Sequence, residues 1–217
     1  MWWIAQPVTH QGLLEREAWY LFLAAAALVG VYVYVCIFWC LFAYNRRRRP
    51  AAASFTGNPP IEIAYVAIPL ALVIWLFAVT LRAEVPMDRV ARNPDGIVGV
   101  AAFRWSWRFA YAEGRIVTVG TPFAPPTLYL PVNRTTEIDL TTDDVNHSFW
   151  VPAFLFKRDA IPGMTNRFDI TPTRTGTFLG RCAQFCGLEH ALMTFRVRVV
   201  SASAFDAFVK TNGQATP

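Results

Sequence analysis

Ala18–Tyr44 reads AWYLFLAAAALVGVYVYVCIFWCLFAY, 27 consecutive positions without a charged side chain. About 20 helical residues cross a ~30 Å hydrocarbon core, so this stretch predicts a tilted membrane span over 18–44. A second uncharged run, Ile63 to Leu81 (IAYVAIPLALVIWLFAVTL), has 19 positions and places a second span over 63–82. Pro69 within it is tolerable, because neighbouring groups in a membrane take up the freed carbonyl. Between the two lies NRRRRPAAASFTGNPP, whose Arg46–Arg49 directly abut the first span. Arginines in that position are retained on the cytoplasmic side. Residues 45–62 are therefore expected as a cytoplasmic loop, with 1–17 and 83–217 on the outer side. A cleaved signal peptide is disfavoured, since the N-terminus lacks a basic region and the first apolar run is too long.

Composition agrees with this division. The chain is 54% hydrophobic and 16% charged, against roughly a quarter charged in an average soluble domain. That balance excludes a disordered chain and a solvated nucleic-acid-binding arm. Of the net charge of +5, residues 1–82 contribute six Arg against three Glu, and the remainder 14 basic against 12 acidic side chains. Arg46–Arg49 account for most of the excess, so the net charge reports membrane orientation and says little about partners; membrane lipid is expected around the spans, and no nucleic-acid partner is expected.

Beyond Pro86 the pattern changes. GIVGVAAFRWSWRFAY, TLYLPV, RTTEIDLTT, NRFDITP, TGTFLGRC and MTFRVRVVS recur at short intervals, separated by Pro, Gly and Asn. Short β-branched and aromatic runs with such punctuation predict a β-sandwich or barrel. ASAFDAFVK follows as a short final helix, with Ser201 and Ser203 as capping candidates.

The four cysteines form two pairs of equal spacing in different settings. Cys36 and Cys40 lie inside the first apolar run, away from His, Asp or Glu, and are expected as small apolar residues. Cys182 and Cys186 sit in RCAQFCGLEHALM, with His190 and Met193 alongside. A disulfide is one reading in an oxidising compartment. A zinc site using Cys182, Cys186, His190 and His147 is another. Two thiols, an imidazole and a thioether on one loop make a soft mixed set that suits copper, and a second thiolate is surplus for a single blue copper. That surplus argues for two copper ions bridged by two sulfurs. His147, which opens HSFWVPAF, is the remaining outer histidine and the expected partner.

At these residues the sequence resembles subunit II of the haem–copper cytochrome c oxidases. DDVNHSFWVPAF, KRDAIPGM and CAQFCGLEHALM occur in the family's order, and nearly the whole chain is covered. The resemblance implies two transmembrane helices followed by an all-β cupredoxin-like domain. It implies a binuclear copper centre, CuA, with Cys182 and Cys186 bridging and His147 and His190 terminal. Met193 and the backbone carbonyl of Gln184 would be weak ligands. The family usually has Glu in place of Gln184, reaching a magnesium site shared with subunit I. Gln keeps the carbonyl and loses the charge, so the resemblance supports the copper and leaves the magnesium in question. Asp159 in KRDAIPG is the expected residue supporting the ligands from behind.

The same resemblance makes Trp105, in RWSW, the point where electrons arrive from cytochrome c, with Trp107 and Tyr111 as neighbours. Glu137, Asp139, Asp143 and Asp144 are the expected acidic docking residues for a basic donor. Glu62 matches a carboxylate at the mouth of a proton pathway serving subunit I. Expected partners are subunits I and III, cytochrome c and membrane lipid, in a bacterial cell membrane or mitochondrial inner membrane. Oxygen chemistry is expected in subunit I, and no CxxCH haem-attachment motif is present in the sequence. Two other classes remain as alternatives: a copper-free quinol-oxidase-type structural subunit, and a zinc- or disulfide-stabilised binding domain.

Overall fold

The structure, a computed structural model, describes residues 6–44 and 57–213. The Arg46–Arg49 run lies outside the described residues. The chain divides into a helical unit, Glu17–Arg82, and a β unit made of Met1–Arg16 with Ala83–Pro217.

Helix α1 spans His10–Ala43 and α2 spans Pro59–Asp88. Both carry apolar side chains all round and leave most of them exposed, the composition of a helix that faces lipid or other protein. Cys36 and Cys40 are free and exposed on α1. The helices overrun the uncharged stretches because their ends carry capping chemistry. Thr9 Oγ1 accepts the Gly12 amide at 3.0 Å, an N-cap that starts α1 well before Ala18. Pro59 and Pro60 open α2, where a missing N–H costs nothing. Glu62 stands in that first turn and accepts the Asn58 amide at 2.9 Å.

The β unit is a sandwich of two five-stranded sheets. One has the order β3-β2-β1-β5-β8, from Ile116–Val119, Ser106–Tyr111, Gly96–Phe103, Thr136–Thr142 and Asn166–Ile170. The other is β4-β10-β9-β6-β7, from Thr127–Pro131, Thr194–Val200, Gly176–Cys182, His147–Val151 and Phe156–Ala160. Alternation places Trp107, Phe109, Phe149 and Phe195 fully inside. The Phe149 and Phe195 rings stack with centroids 5.0 Å apart, and Gly180 allows the Phe195 ring to lie against the β9 backbone. Helix α3, Ala202–Lys210, is capped by Ser201, whose hydroxyl accepts the Ala204 amide.

Two departures from the sequence pattern matter for the site. The run from Gly96 to Tyr111 is a tight hairpin, turning at Arg104–Trp105 across a cis peptide. That turn has no Gly, Pro or Asn to announce it. Residues 6–12 are also built into the sandwich. Val8 is wholly buried, its amide donates to Ala153 O, and its carbonyl accepts from Thr173.

Candidate metal centre

The site forms where β6 begins and β9 ends. In the β6–β9 ladder Phe149 faces Cys182, which brings the start of β6 beside the end of β9. The Cys182 amide donates to Met193 O at 2.9 Å, closing the loop 183–192 at its base. This closure turns a stretch of sequence into a cup of donors.

Within the cup, His147 Nδ1 lies 3.7 Å from Cys182 Sγ, and Cys182 Sγ lies 3.9 Å from Cys186 Sγ. Cys186 Sγ in turn meets His190 Nδ1 at 3.5 Å and Met193 Sδ at 3.7 Å. The Gln184 carbonyl oxygen is 3.2 Å from Cys182 Sγ. Both cysteines are free thiols. Nitrogen and sulfur donors held at about 2.0–2.3 Å by one tetrahedral metal stand ~3.5–3.8 Å apart, close to the spacings found here. The ligand atoms of His147, Cys182 and Cys186 all fall within 4.8 Å of one another, and all three residues are buried. His190 stands outside that trio, against Cys186 alone. The order imidazole, thiol, thiol, imidazole puts two sulfurs between two nitrogens, and the donor set fits a soft metal.

The electrostatics separate the two thiols. Burial opposes ionisation of Cys182, but the hydrogen bond with His147 and those from the backbone outweigh it and leave the thiol below its ordinary value. Cys186 is pushed up to about 12 by burial and by the adjacent Cys182. A second thiolate thus needs a cation beside it, and metal uptake here releases protons.

The support behind His147 is Asp144, and Asp159 does not provide it. His147 Nε2 lies 2.9 Å from Asp144 Oδ1. Burial acts against the Asp144 carboxylate, yet bonds from His147, the amides of Arg104 and Val145, and the Arg104 side chain hold its carboxyl well below the usual range. Asp159 pairs with Ser148 on β7 and is exposed, because strand alternation turns it outward, whereas Ala160 opposite His147 is buried. An acid three residues ahead of the histidine is the sequence signal for this support, and it belongs to the residue expected above as a docking acid.

Trp105 sits in the β1–β2 turn and donates its indole N–H to Cys186 O at 3.1 Å. Its sequence neighbours lie elsewhere. Trp107 is in the core, with its ring centroid 6.4 Å from that of His147. Tyr111, at the far end of β2, packs on Phe205 and Phe208 and accepts the Tyr129 amide. Gly187 completes the contact, with φ +115 and room for a Cβ only 3.3 Å from the Trp105 indole. Gly187→Ala is expected to cost about 1–3 kcal/mol, seen as a lower unfolding midpoint together with displaced Trp105 fluorescence.

The four expected docking acids do not form a free acidic face. Glu137 is buried, and burial with Asp139 beside it pushes its carboxyl up. Asp139 pairs with Arg167 at 3.1 Å, Asp143 with Arg108 at 2.9 Å and Asp144 with Arg104 at 3.1 Å. Strand neighbours supply these partners, and sequence spacing hides them: Arg167 lies opposite Asp139 in the β5–β8 ladder. The ligand loop itself displays apolar side chains, with Leu188 92% and Phe185 78% exposed.

Fold and site together define a membrane-anchored cupredoxin carrying a cluster of sulfur and imidazole donors. Residues 124–200 match the family model for cytochrome c oxidase subunit II, periplasmic domain. The chain is 36% identical to a probable cytochrome c oxidase subunit 2 of Streptomyces avermitilis, over 94% of this chain and 76% of that protein. It is 29% identical to cytochrome c oxidase subunit 2 of Mycobacterium bovis, over 97% and 76% of the two chains. The periplasmic domain of subunit II of the Bradyrhizobium japonicum cytochrome oxidase superposes with a TM-score of 0.51. It is 29% identical and covers 57% of this chain and 96% of that one. The chain belongs to the cytochrome c oxidase subunit II family.

Proposed function

We propose that this chain is the subunit that receives electrons from cytochrome c at a binuclear copper centre and hands them to haem in subunit I. The observation that carries this reading is the pair of free, buried thiols set between two imidazoles. A copper pair bound there supplies a one-electron couple shared over two metals. His147, Cys182, Cys186 and His190 are the strong donors, and Met193 and the Gln184 carbonyl the weak ones. The closed loop and the β-sandwich hold these donors in position before metal or electron arrives, so little need move on reduction. The quinol-oxidase alternative is disfavoured by the donors themselves, which a copper-free subunit has no use for.

Three further roles go with this reading. Trp105 is the contact through which electrons reach the Cys186 backbone. Glu62 gathers protons for subunit I at the start of α2, where it also caps the helix. Both termini lie on the outer side, consistent with residues 6–16 sharing one unit with the domain that follows α2. Subunits I and III are the membrane partners. Gln184 offers magnesium only a neutral side chain. Full-length protein loaded with copper is expected to bind two coppers per chain and turn purple, with an absorption spectrum of shared valence. A colourless zinc protein, or one copper per chain with a localised spectrum, would sink the reading.

A further inference from the structure

The dipeptide Arg104–Trp105 reaches both halves of the donor cluster. On one side Trp105 Nε1 donates to Cys186 O. On the other, the Arg104 amide and its Nε both donate to Asp144 Oδ2, at 2.8 and 3.1 Å. The second oxygen of that carboxylate, Oδ1, accepts from His147 Nε2 at 2.9 Å and from the Val145 amide at 2.7 Å. Thr142 Oγ1 adds a longer contact at 3.4 Å. Each oxygen therefore has its own set of donors, and the carboxylate has little rotational freedom left.

The consequence for His147 is a matter of which nitrogen carries hydrogen. A carboxylate can only accept, so Nε2 must donate to it. In the neutral ring that leaves Nδ1 without hydrogen, and Nδ1 is the atom facing Cys182 Sγ. The ring is otherwise held by packing, with the Trp107 ring tilted beside it. Packing fixes a plane and does not choose between nitrogens. Asp144 makes that choice.

We propose that Asp144 is a positioning residue that fixes the tautomer and orientation of His147 for metal and ties it to the turn bearing Trp105. This rests on the reading of the cluster as a copper centre, and it extends that reading from the donors to what aims them. Supports of this kind typically change metal affinity by about 10–100-fold when lost.

The test uses full-length protein in a lipid nanodisc, as wild type, Asp144→Leu and Asp144→Asn. Nitrogen NMR of the metal-free proteins reads the His147 tautomer without any copper. Wild type should hold hydrogen on Nε2, and both Asp144→Leu, which offers no partner, and Asp144→Asn, whose amide nitrogen can donate to the ring, should populate the Nδ1 form as well. Copper titration should then show about a 10–100-fold weaker affinity in Asp144→Leu, with a smaller loss in Asp144→Asn. If Asp144→Leu keeps the wild-type tautomer and binds copper within about twofold of wild type, the proposal is overturned. Wild type failing to take up copper would instead overturn the copper reading, and the tautomer measurement would still judge Asp144. If Asp144→Leu does not fold, a shift toward hydrogen on Nδ1 in Asp144→Asn would support the proposal, and retention of the wild-type tautomer with wild-type copper affinity would overturn it.

Discussion

Cys186→Ser is expected to remove the shared-valence copper spectrum, whereas Cys36→Ser leaves it unchanged. Cys186 Sγ is the hub of the cluster, with Cys182 Sγ, His190 Nδ1 and Met193 Sδ all within 3.9 Å of it. Sulfur bridges two soft metals because it is polarizable, and a serine hydroxyl at the same place is hard and stays protonated. The variant therefore retains donors for one metal, chiefly His147 and Cys182, and loses the means of joining a second. Metal stoichiometry should fall from two coppers toward one. In paramagnetic resonance the hyperfine pattern should change from that of an electron shared by two nuclei to that of one localised electron. The apo fold should change little, since a buried thiol replaced by hydroxyl costs on the order of 1–3 kcal/mol. Cys36 is exposed on α1, in the helical unit, amid apolar side chains. Survival of the shared spectrum in Cys186→Ser would place the bridging elsewhere.

That contrast between equal spacings shows what was legible in the chain. Cys36–Cys40 and Cys182–Cys186 are both four apart, and only the surrounding residues distinguished them: uninterrupted apolar side chains in one case, His190 and Met193 in the other. The spans were legible for the same reason, because hydrocarbon imposes a length that can be counted. The donor set was legible because metals demand particular atoms, and few such atoms occur outside the spans. What remained hidden was pairing across strands. Arg167 meets Asp139 through the β5–β8 register, and Arg104 meets Asp144 across 40 positions of sequence. A run of acids looks free until its partners fold back onto it. The outward face of Asp159 was hidden for a related reason. Proximity in sequence to a turn says nothing about face, and a shift of one residue along a strand reverses the side a chain points to. The strap at Val8 was equally invisible, as the few residues just ahead of a membrane helix carry no pattern.

Charge acquires a different meaning once the pairs are known. Asp139, Asp143 and Asp144 each spend their charge on an arginine of the same domain, and the outward side chains of the 183–192 loop include Phe185, Leu188 and Leu192, beside exposed Gln184 and half-buried Glu189. Exposed ion pairs interact weakly with a third charge, since each presents a dipole where a bare carboxylate would present a net field. On the proposed reading, a donor approaching Trp105 meets a largely apolar rim flanked by paired acids, a surface that gives contact more weight than long-range steering.

Trp105→Leu should therefore slow reduction by cytochrome c more than any neutralisation of Glu137, Asp139 or Asp143. Among the described residues, the indole is the one side chain that is both partly accessible in the turn and hydrogen-bonded to the backbone of Cys186. Removing it takes away the bond to Cys186 O and the ring that lies over Gly187. An interface tryptophan of this kind is worth about 2 kcal/mol or more, roughly thirtyfold in docking, before any loss of electronic contact is added. The expected result in the assembled oxidase is a drop of at least about tenfold in the second-order rate of reduction. The copper spectrum, the unfolding midpoint and onward transfer to haem should stay near wild type. Trp107→Leu supplies the opposite pattern, because that ring is wholly buried against Phe149 and Phe195. It should lower stability by about 3 kcal/mol through the cavity it leaves, while the rate per folded molecule changes little. Both rates should also vary only weakly with ionic strength, as the paired acids require. If Trp105→Leu accepts electrons at the wild-type rate, or if the rate falls steeply with added salt, the donor meets this domain somewhere other than the Arg104–Trp105 turn.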